Sequence, residues 1–336
     1  MERFLKSRYR IGDQLSDNPF SATYKGSFIS TNKPVVIKIY KRGTLNSRLI
    51  NQMKQKVREL SAVSYHGVAK LIDGDYGWQG FYYVREYIDG HSLEQILKSR
   101  GKLDLDKAVV ITSEICQALT ATHAKAIIHG GLKPTNIFID AQGIVKVSDF
   151  IIEGEIKEAM PQKALLLMED GRYCAPEELT GSPAGISSDL YALGLVMLEM
   201  VAPEALFKEV GLAASVKKLR SLEPYLPYKL SQLPRYFQEI INKTLQPDTL
   251  KRFASAEEVR QSLENQRLTV KQSRPDELVD IFDNTVIKYG EPEEDSKKEI
   301  EALDKTEKEQ GRMWQLVVAL ILAVLSGLAY AFWFVK

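Results

Sequence analysis

The sequence is short of the residues that several common chemistries require. Its two cysteines, Cys116 and Cys174, cannot build a disulfide framework, and so sparse a thiol content points to a reducing compartment. Four histidines, none in an H-E-x-x-H or C-x-x-C setting, argue against a zinc enzyme. A surplus of charge is missing too. The 45 basic and 44 acidic residues leave +1, so there is no bulk basic field of the kind that holds nucleic acid, and no nucleic-acid partner is expected. The first ten residues, MERFLKSRYR, contain no apolar run, so a secretory signal peptide is not expected. No internal repeat is evident.

What is present is distributed unevenly over the 336 residues. Residues 313–335 form one uncharged run, MWQLVVALILAVLSGLAYAFWFV. As a helix it would reach roughly 34 Å, enough for a hydrocarbon core of about 30 Å. Trp314 and Trp333 stand near its ends, where amphipathic rings favour the headgroup level. Lys297, Lys298, Lys305, Lys308 and Arg312 precede the run and only Lys336 follows it. The positive-inside rule then puts the N-terminal body in the cytoplasm, with no room beyond the membrane for a sensor module. Residues 266–312 read as a charged juxtamembrane linker whose last part buries too little apolar surface to fold alone.

In the remaining body, β-like runs at 9–15, 22–29 and 34–40 precede a helical pattern carried by Leu49, Met53, Val57, Leu60 and Val63. Strand candidates at 69–76 and 81–86 follow. Helices then dominate at 105–124, 187–201 and 236–245, interrupted by short strands at 136–139 and 145–147. A small sheet-rich part with one helix, followed by a larger helical part, is an α+β plan.

Several motifs lie on this plan in a fixed order: Val35-Val36-Ile37-Lys38, Val84 to Gly90, Ile127 to Asn136, Ser148-Asp149-Phe150-Ile151 and Ala175-Pro176-Glu177. In that order and spacing they resemble the eukaryotic-type protein kinases from about Tyr9 to Leu263. The resemblance implies a bilobal fold, with an N-lobe over 1–88 and a C-lobe over 89–265, plus the C-terminal transmembrane helix over 313–335. It implies that Lys38, oriented by Glu59, holds nucleotide phosphates, and that Glu86 and Ile88 at the hinge meet the base. Asn136 and Asp149 match the residues that hold magnesium, and Glu177, Asp189 and Arg252 match residues that brace the C-lobe.

The same comparison exposes losses. The family's aspartate that takes the hydroxyl proton corresponds to Gly131, and its neighbouring arginine to Gly130, so no intact catalytic base is expected although Lys133 remains nearby. Losing a positioned base costs about 10²–10⁴ in rate. The glycine-rich loop over the phosphates reads Ser16-Asp17-Asn18-Pro19-Phe20-Ser21, with no glycine to let backbone N–H groups approach. Ile151 replaces the glycine of D-F-G. Residues 150–172 contain no Ser or Thr, and Asp170 stands where a phosphorylated threonine is common. Arg85 occupies the gatekeeper position before the hinge. It is expected to fill part of the nucleotide pocket, with Glu59 as one conceivable partner.

The expectation is therefore a membrane-anchored pseudokinase, single-pass and with its N-terminal domain cytoplasmic, the membrane being a bacterial inner membrane. It would act as scaffold or allosteric regulator on an unidentified cytoplasmic or membrane protein, with ATP and magnesium held weakly or not at all. The alternatives are an atypical but active Ser/Thr kinase and a nucleotide- or ligand-gated membrane sensor without phosphotransfer.

Overall fold

The computed structural model describes residues 3–17, 20–150, 171–202 and 230–267. Expectations for residues 151–170, for the linker beyond residue 267 and for the span 313–335 fall outside these residues. No helix among the described residues is long and apolar enough to cross a membrane.

The first part of the chain is a six-stranded antiparallel sheet. Its strands are β1 (Arg3–Leu5), β2 (Tyr9–Asp17), β3 (Ser21–Phe28), β4 (Pro34–Lys41), β5 (Leu71–Gly77) and β6 (Gly80–Glu86), in the spatial order β1-β2-β3-β4-β6-β5. The two central strands alternate between two buried faces. Val35, Ile37 and Ile39 of β4 join Tyr82 and Val84 of β6 in a cluster with Leu5, Tyr9 and Ile11. Tyr40, Phe81 and Tyr83 face the other way, onto Leu49, Met53, Val57 and Leu60 of helix α1 (Ser47–Ser61). That helix begins where Asn46 Oδ1 accepts the Leu49 N–H at 2.8 Å, a side-chain cap that favours initiation. At Gly74 a Cβ would stand 2.6 Å from Val57 Cγ2, so glycine is what lets β5 pass so close to α1.

The outer strands are tied to each other by side chains. Lys6 pairs with Asp75, Arg8 Nη1 lies 3.4 Å from Asp73 Oδ2, and the Tyr9 hydroxyl donates to the same oxygen at 3.1 Å. The sheet therefore curls until its two edges meet across a polar seam, enclosing the Tyr9–Tyr82 cluster.

Residues after β6 build the larger part from β7 (Gly90–Ser92), α2 (Leu93–Arg100), α3 (Leu105–His123), β8 (Ile137–Asp140), β9 (Val145–Val147), α4 (Ile186–Val201), α5 (Arg235–Thr244) and α6 (Ala256–Arg267). The strands form a second antiparallel sheet, β7-β8-β9. The segment leading into β5 crosses to it: Val68 bridges Val147 in parallel, and the Ala69 N–H donates to the Val147 carbonyl at 2.8 Å. Two strands were not anticipated, β1 and β7. Each has three residues, too few to show a period. At β7 a Cβ on Gly90 would lie 2.2 Å from the Ile139 carbonyl oxygen, so the pairing with β8 depends on the missing side chain. The α+β plan with a sheet-rich small lobe and a helical large lobe stands.

Candidate active site

The β4–β6 register places Lys38 opposite Tyr83 and Val36 opposite Arg85. Directly opposed residues project to one face, so Lys38, Tyr83 and Arg85 share the face that looks into the cleft. Asp149 enters from the far side, two residues after β9, with a left-handed φ of 65°, a conformation Asp tolerates better than most residues. Its two oxygens are already claimed. The Tyr83 hydroxyl donates to Oδ1, the Ser148 hydroxyl donates to Oδ2 at 3.0 Å, and Arg85 Nε lies 3.7 Å from Oδ1. Burial alone would push the Asp149 pKa up. The charges of Arg85 and then Lys38, with the two hydroxyl donors, outweigh it and hold the carboxyl below the usual range. Burial, helped by the Asp149 charge, raises the Tyr83 pKa, so the phenol stays a donor.

Arg85 itself is 7% exposed. Its Nη1 donates to the Glu86 carbonyl at 3.2 Å, and its guanidinium carbon lies 5.3 Å from the centre of the Phe138 ring on β8. Nε is buried without a hydrogen bond, because 3.7 Å to Asp149 is an ionic contact only. The partner expected for Arg85, Glu59, is replaced by Asp149. The Lys38–Glu59 pair is likewise not made. Glu59 lies off the buried face of α1 and bonds along its own helix, to Gln55 at 2.9 Å and Lys56 at 3.4 Å. Lys38 keeps a contact with the Tyr40 ring at 5.8 Å. The charge of Asp17 in the degenerate loop pairs with Lys41 at 2.8 Å.

At the hinge the Glu86 carboxylate turns away from the cleft, accepting from Lys146 Nζ at 2.9 Å and from the Lys70 N–H at 2.8 Å. Ile88 is buried in the crossing between lobes. Magnesium does not fit Asp149 as the residues stand. A dication there would face the Arg85 guanidinium and two hydroxyl protons in a site of low dielectric. Asn136, the other expected ligand, is buried and donates its amide N–H to the Gly131 carbonyl at 3.0 Å, a bond that fixes the side chain without using the amide oxygen a cation would need.

The loop around Gly131 is well ordered by hydrogen bonds although it has lost its base. The Gly131 N–H donates to His129 Nδ1 at 3.2 Å. His129 packs its ring 4.5 Å from that of Phe150. Gly130 takes φ of 67°, a conformation that glycine adopts at no steric cost. Asp189, 1% exposed, receives the His129 and Gly130 N–H groups and His123 Nε2, each at 2.8 Å. Lys133 is buried. Behind this loop, Arg252 forms a two-pronged pair with Glu177 at 2.7 and 2.8 Å.

A model of the protein kinase domain matches residues 9–263. The chain belongs to that family. Among curated relatives, a probable serine/threonine-protein kinase of Clostridium perfringens is 28% identical over 265 residues, 78% of this chain and 38% of the relative. PrkC of Bacillus subtilis, a serine/threonine-protein kinase, is 26% identical over 257 residues, 76% of this chain and 40% of PrkC. PknA of Mycobacterium tuberculosis is 28% identical over 258 residues, 75% of this chain and 59% of PknA. The matched region thus spans about two fifths of the first of these kinases and three fifths of PknA. Among solved structures, Rad53 1–466 in complex with AMP-PNP superposes with a TM-score of 0.61 at 20% identity, covering 74% of this chain and 63% of that one, a likeness of fold.

Within this kinase domain the expected residues Lys38, Asp149 and the hinge do converge on one cleft. Tyr83 and Ser148 were not foreseen as parts of it. The available signal for Tyr83 was a phenol on the cleft-facing parity of β6, which needs a partner when buried. The ionised Asp149 favours the fold while it stays charged. Because its folded pKa is depressed, that contribution is complete above the ordinary carboxylate value of about 4 and lost as pH falls through the lower folded value. Tyr83→Phe removes one donor to the charge, and its stability is expected to fall below that of the wild type at neutral pH, with the gap narrowing under acid titration. A gap that widens in acid would contradict this assignment.

Proposed function

We propose that this kinase-family protein is a membrane-anchored pseudokinase, a cytoplasmic scaffold or allosteric regulator with little or no phosphotransfer. The observation that carries the reading is the occupied carboxylate of Asp149, which meets Arg85, Tyr83 and Ser148 where a kinase would present a free metal ligand. The glycine at 131 adds to it, since its backbone donor and acceptor serve only to hold the loop. The uncharged run 313–335 and its basic flank support a single-pass anchor with the kinase domain on the cytoplasmic side. Relatives from bacteria support a bacterial membrane. The partner is then a cytoplasmic or membrane protein reached from that surface.

A second reading, an atypical active Ser/Thr kinase, is favoured by the presence of Lys38, Asn136 and Asp149 in one framework. The two are separated by assaying transfer from ATP to a general protein substrate, for the wild type and for Gly131→Asp. The pseudokinase reading expects background transfer from both, because a new base gains nothing in a cleft that admits no metal nucleotide. A damaged kinase would gain about 10²–10⁴ from the restored base. A wild-type rate near 1 s⁻¹, the lower end for kinases at about 1–100 s⁻¹, would end the proposal.

A further inference from the structure

We propose that Arg85 is the built-in occupant of the cleft, one guanidinium supplying both the hydrogen-bond donor at the hinge carbonyl and the positive charge at Asp149. An adenine nucleotide and its metal ion would otherwise bring these two contacts from outside. The inference rests on the reading of the cleft as non-catalytic and names what closes it.

Three observations support this. First, the side chain spans the lobes: it leaves β6, passes Asp149 with Nε at 3.7 Å, lies over Phe138 of β8 and ends with Nη1 on the Glu86 carbonyl at 3.2 Å. Second, the position is enforced by packing, since Val36 and Leu71 flank Arg85 on the neighbouring strands and the residue is almost fully buried. Third, the fit is that of a substitute ligand rather than of a settled ion pair. A guanidinium carries five N–H donors in a fixed fork, and here Nη1 reaches a backbone carbonyl while Nε is buried with no hydrogen bond. A side chain selected only to neutralise Asp149 would engage it in the two-pronged manner that Arg252 uses on Glu177.

Two consequences follow. The lobes are joined through the cleft without nucleotide, so the conformation offered to a partner does not depend on ATP supply. In addition, the site is latent rather than destroyed: Lys38, Asn136 and Asp149 remain, and Arg85 competes with anything that needs them.

The test uses the full chain, with ATP as the probe, in the presence and absence of magnesium. Wild type, Arg85→Met and Arg85→Lys are compared by thermal shift and by displacement of a fluorescent ATP analogue. Arg85→Met keeps the apolar stem and removes both contacts. It is expected to bind ATP at least tenfold more tightly than wild type, with a magnesium-dependent rise in Tm of about 5 °C near saturation. Arg85→Lys keeps a charge, but its single ammonium cannot serve both Glu86 and Asp149, and an intermediate gain is expected. An Arg85→Met protein with wild-type circular dichroism and wild-type affinity overturns the proposal. If that variant does not fold, unchanged affinity in Arg85→Lys overturns it equally, as does a wild type that already binds magnesium–ATP as tightly as either variant. None of these outcomes requires phosphotransfer, so the pseudokinase reading stands or falls separately, on the transfer assay.

Discussion

Arg252→Ala is expected to cost about 3–5 kcal/mol, the usual penalty for removing one member of a buried ion pair. The side chain is fully buried and donates five hydrogen bonds: two to Glu177, and one each to the carbonyls of Gln246 at 2.6 Å, Ser187 at 2.9 Å and Pro247 at 3.2 Å. Its plane also lies 4.8 Å from the centre of the Tyr191 ring. Alanine leaves a largely buried carboxylate with the Ser188 hydroxyl as its remaining side-chain donor and removes one donor from each of the Gln246, Ser187 and Pro247 carbonyls. Against a typical domain stability of about 5–15 kcal/mol, such a loss removes much of the fold's margin. Chemical denaturation monitored by circular dichroism reads it directly, and a loss under about 1 kcal/mol would refute the bracing role. The pH dependence adds a second signature. Burial acts to raise the Glu177 pKa, but the Arg252 bonds outweigh it and the net shift is downward. The pair's contribution is therefore complete above the ordinary glutamate value and lost as pH falls through the depressed one. In Arg252→Ala that acid loss should vanish.

The second large effect is expected at Asp189. Its carboxylate gathers two backbone N–H groups from the loop before Gly131 and the ring of His123 at the end of α3. Asp189→Ala takes the acceptor from both amides at once, at about 1–3 kcal/mol each. A total near 4 kcal/mol is expected from thermal or denaturant unfolding. Asp189→Asn should recover less than half of it, because one oxygen cannot accept from both amides. Hydrogen exchange locates the effect: the His129 and Gly130 amides should lose protection out of proportion to the rest of the large lobe. Uniform loss across the lobe would show that Asp189 supports the core in general and not this loop.

Much of the frame was legible in the sequence because it rests on local periodicity. The nearly unbroken apolar runs in β4 and β6 mark two-sided burial, the strand at 145–147 matches at both ends, and the Leu49–Leu60 spacing marks the buried face of α1. The site was legible in its charged members, Lys38, Arg85 and Asp149, and not in its pairing. Glu59 stands at the expected distance along the chain, yet helical phase turns it away from the face that carries Met53 and Val57. Which carboxylate meets Arg85 is decided by the β4–β6 register and by the turn after β9, separated by some sixty residues of chain. No local pattern encodes such a meeting. The role of Tyr83 was hidden for the same reason, since its partner exists only once the lobes come together.

The polar seam that closes the small sheet has a bearing on how this protein behaves among other chains. Strand edges are templates for association, and proteins guard them with charge or coverage. Here Lys6, Arg8 and Tyr9 are fastened to Asp73 and Asp75, partners 64 to 69 positions away. The N-terminal stretch is consequently a clasp: trimming it uncovers the edge of β2 and opens the Tyr9–Tyr82 cluster to solvent, leaving a sticky border.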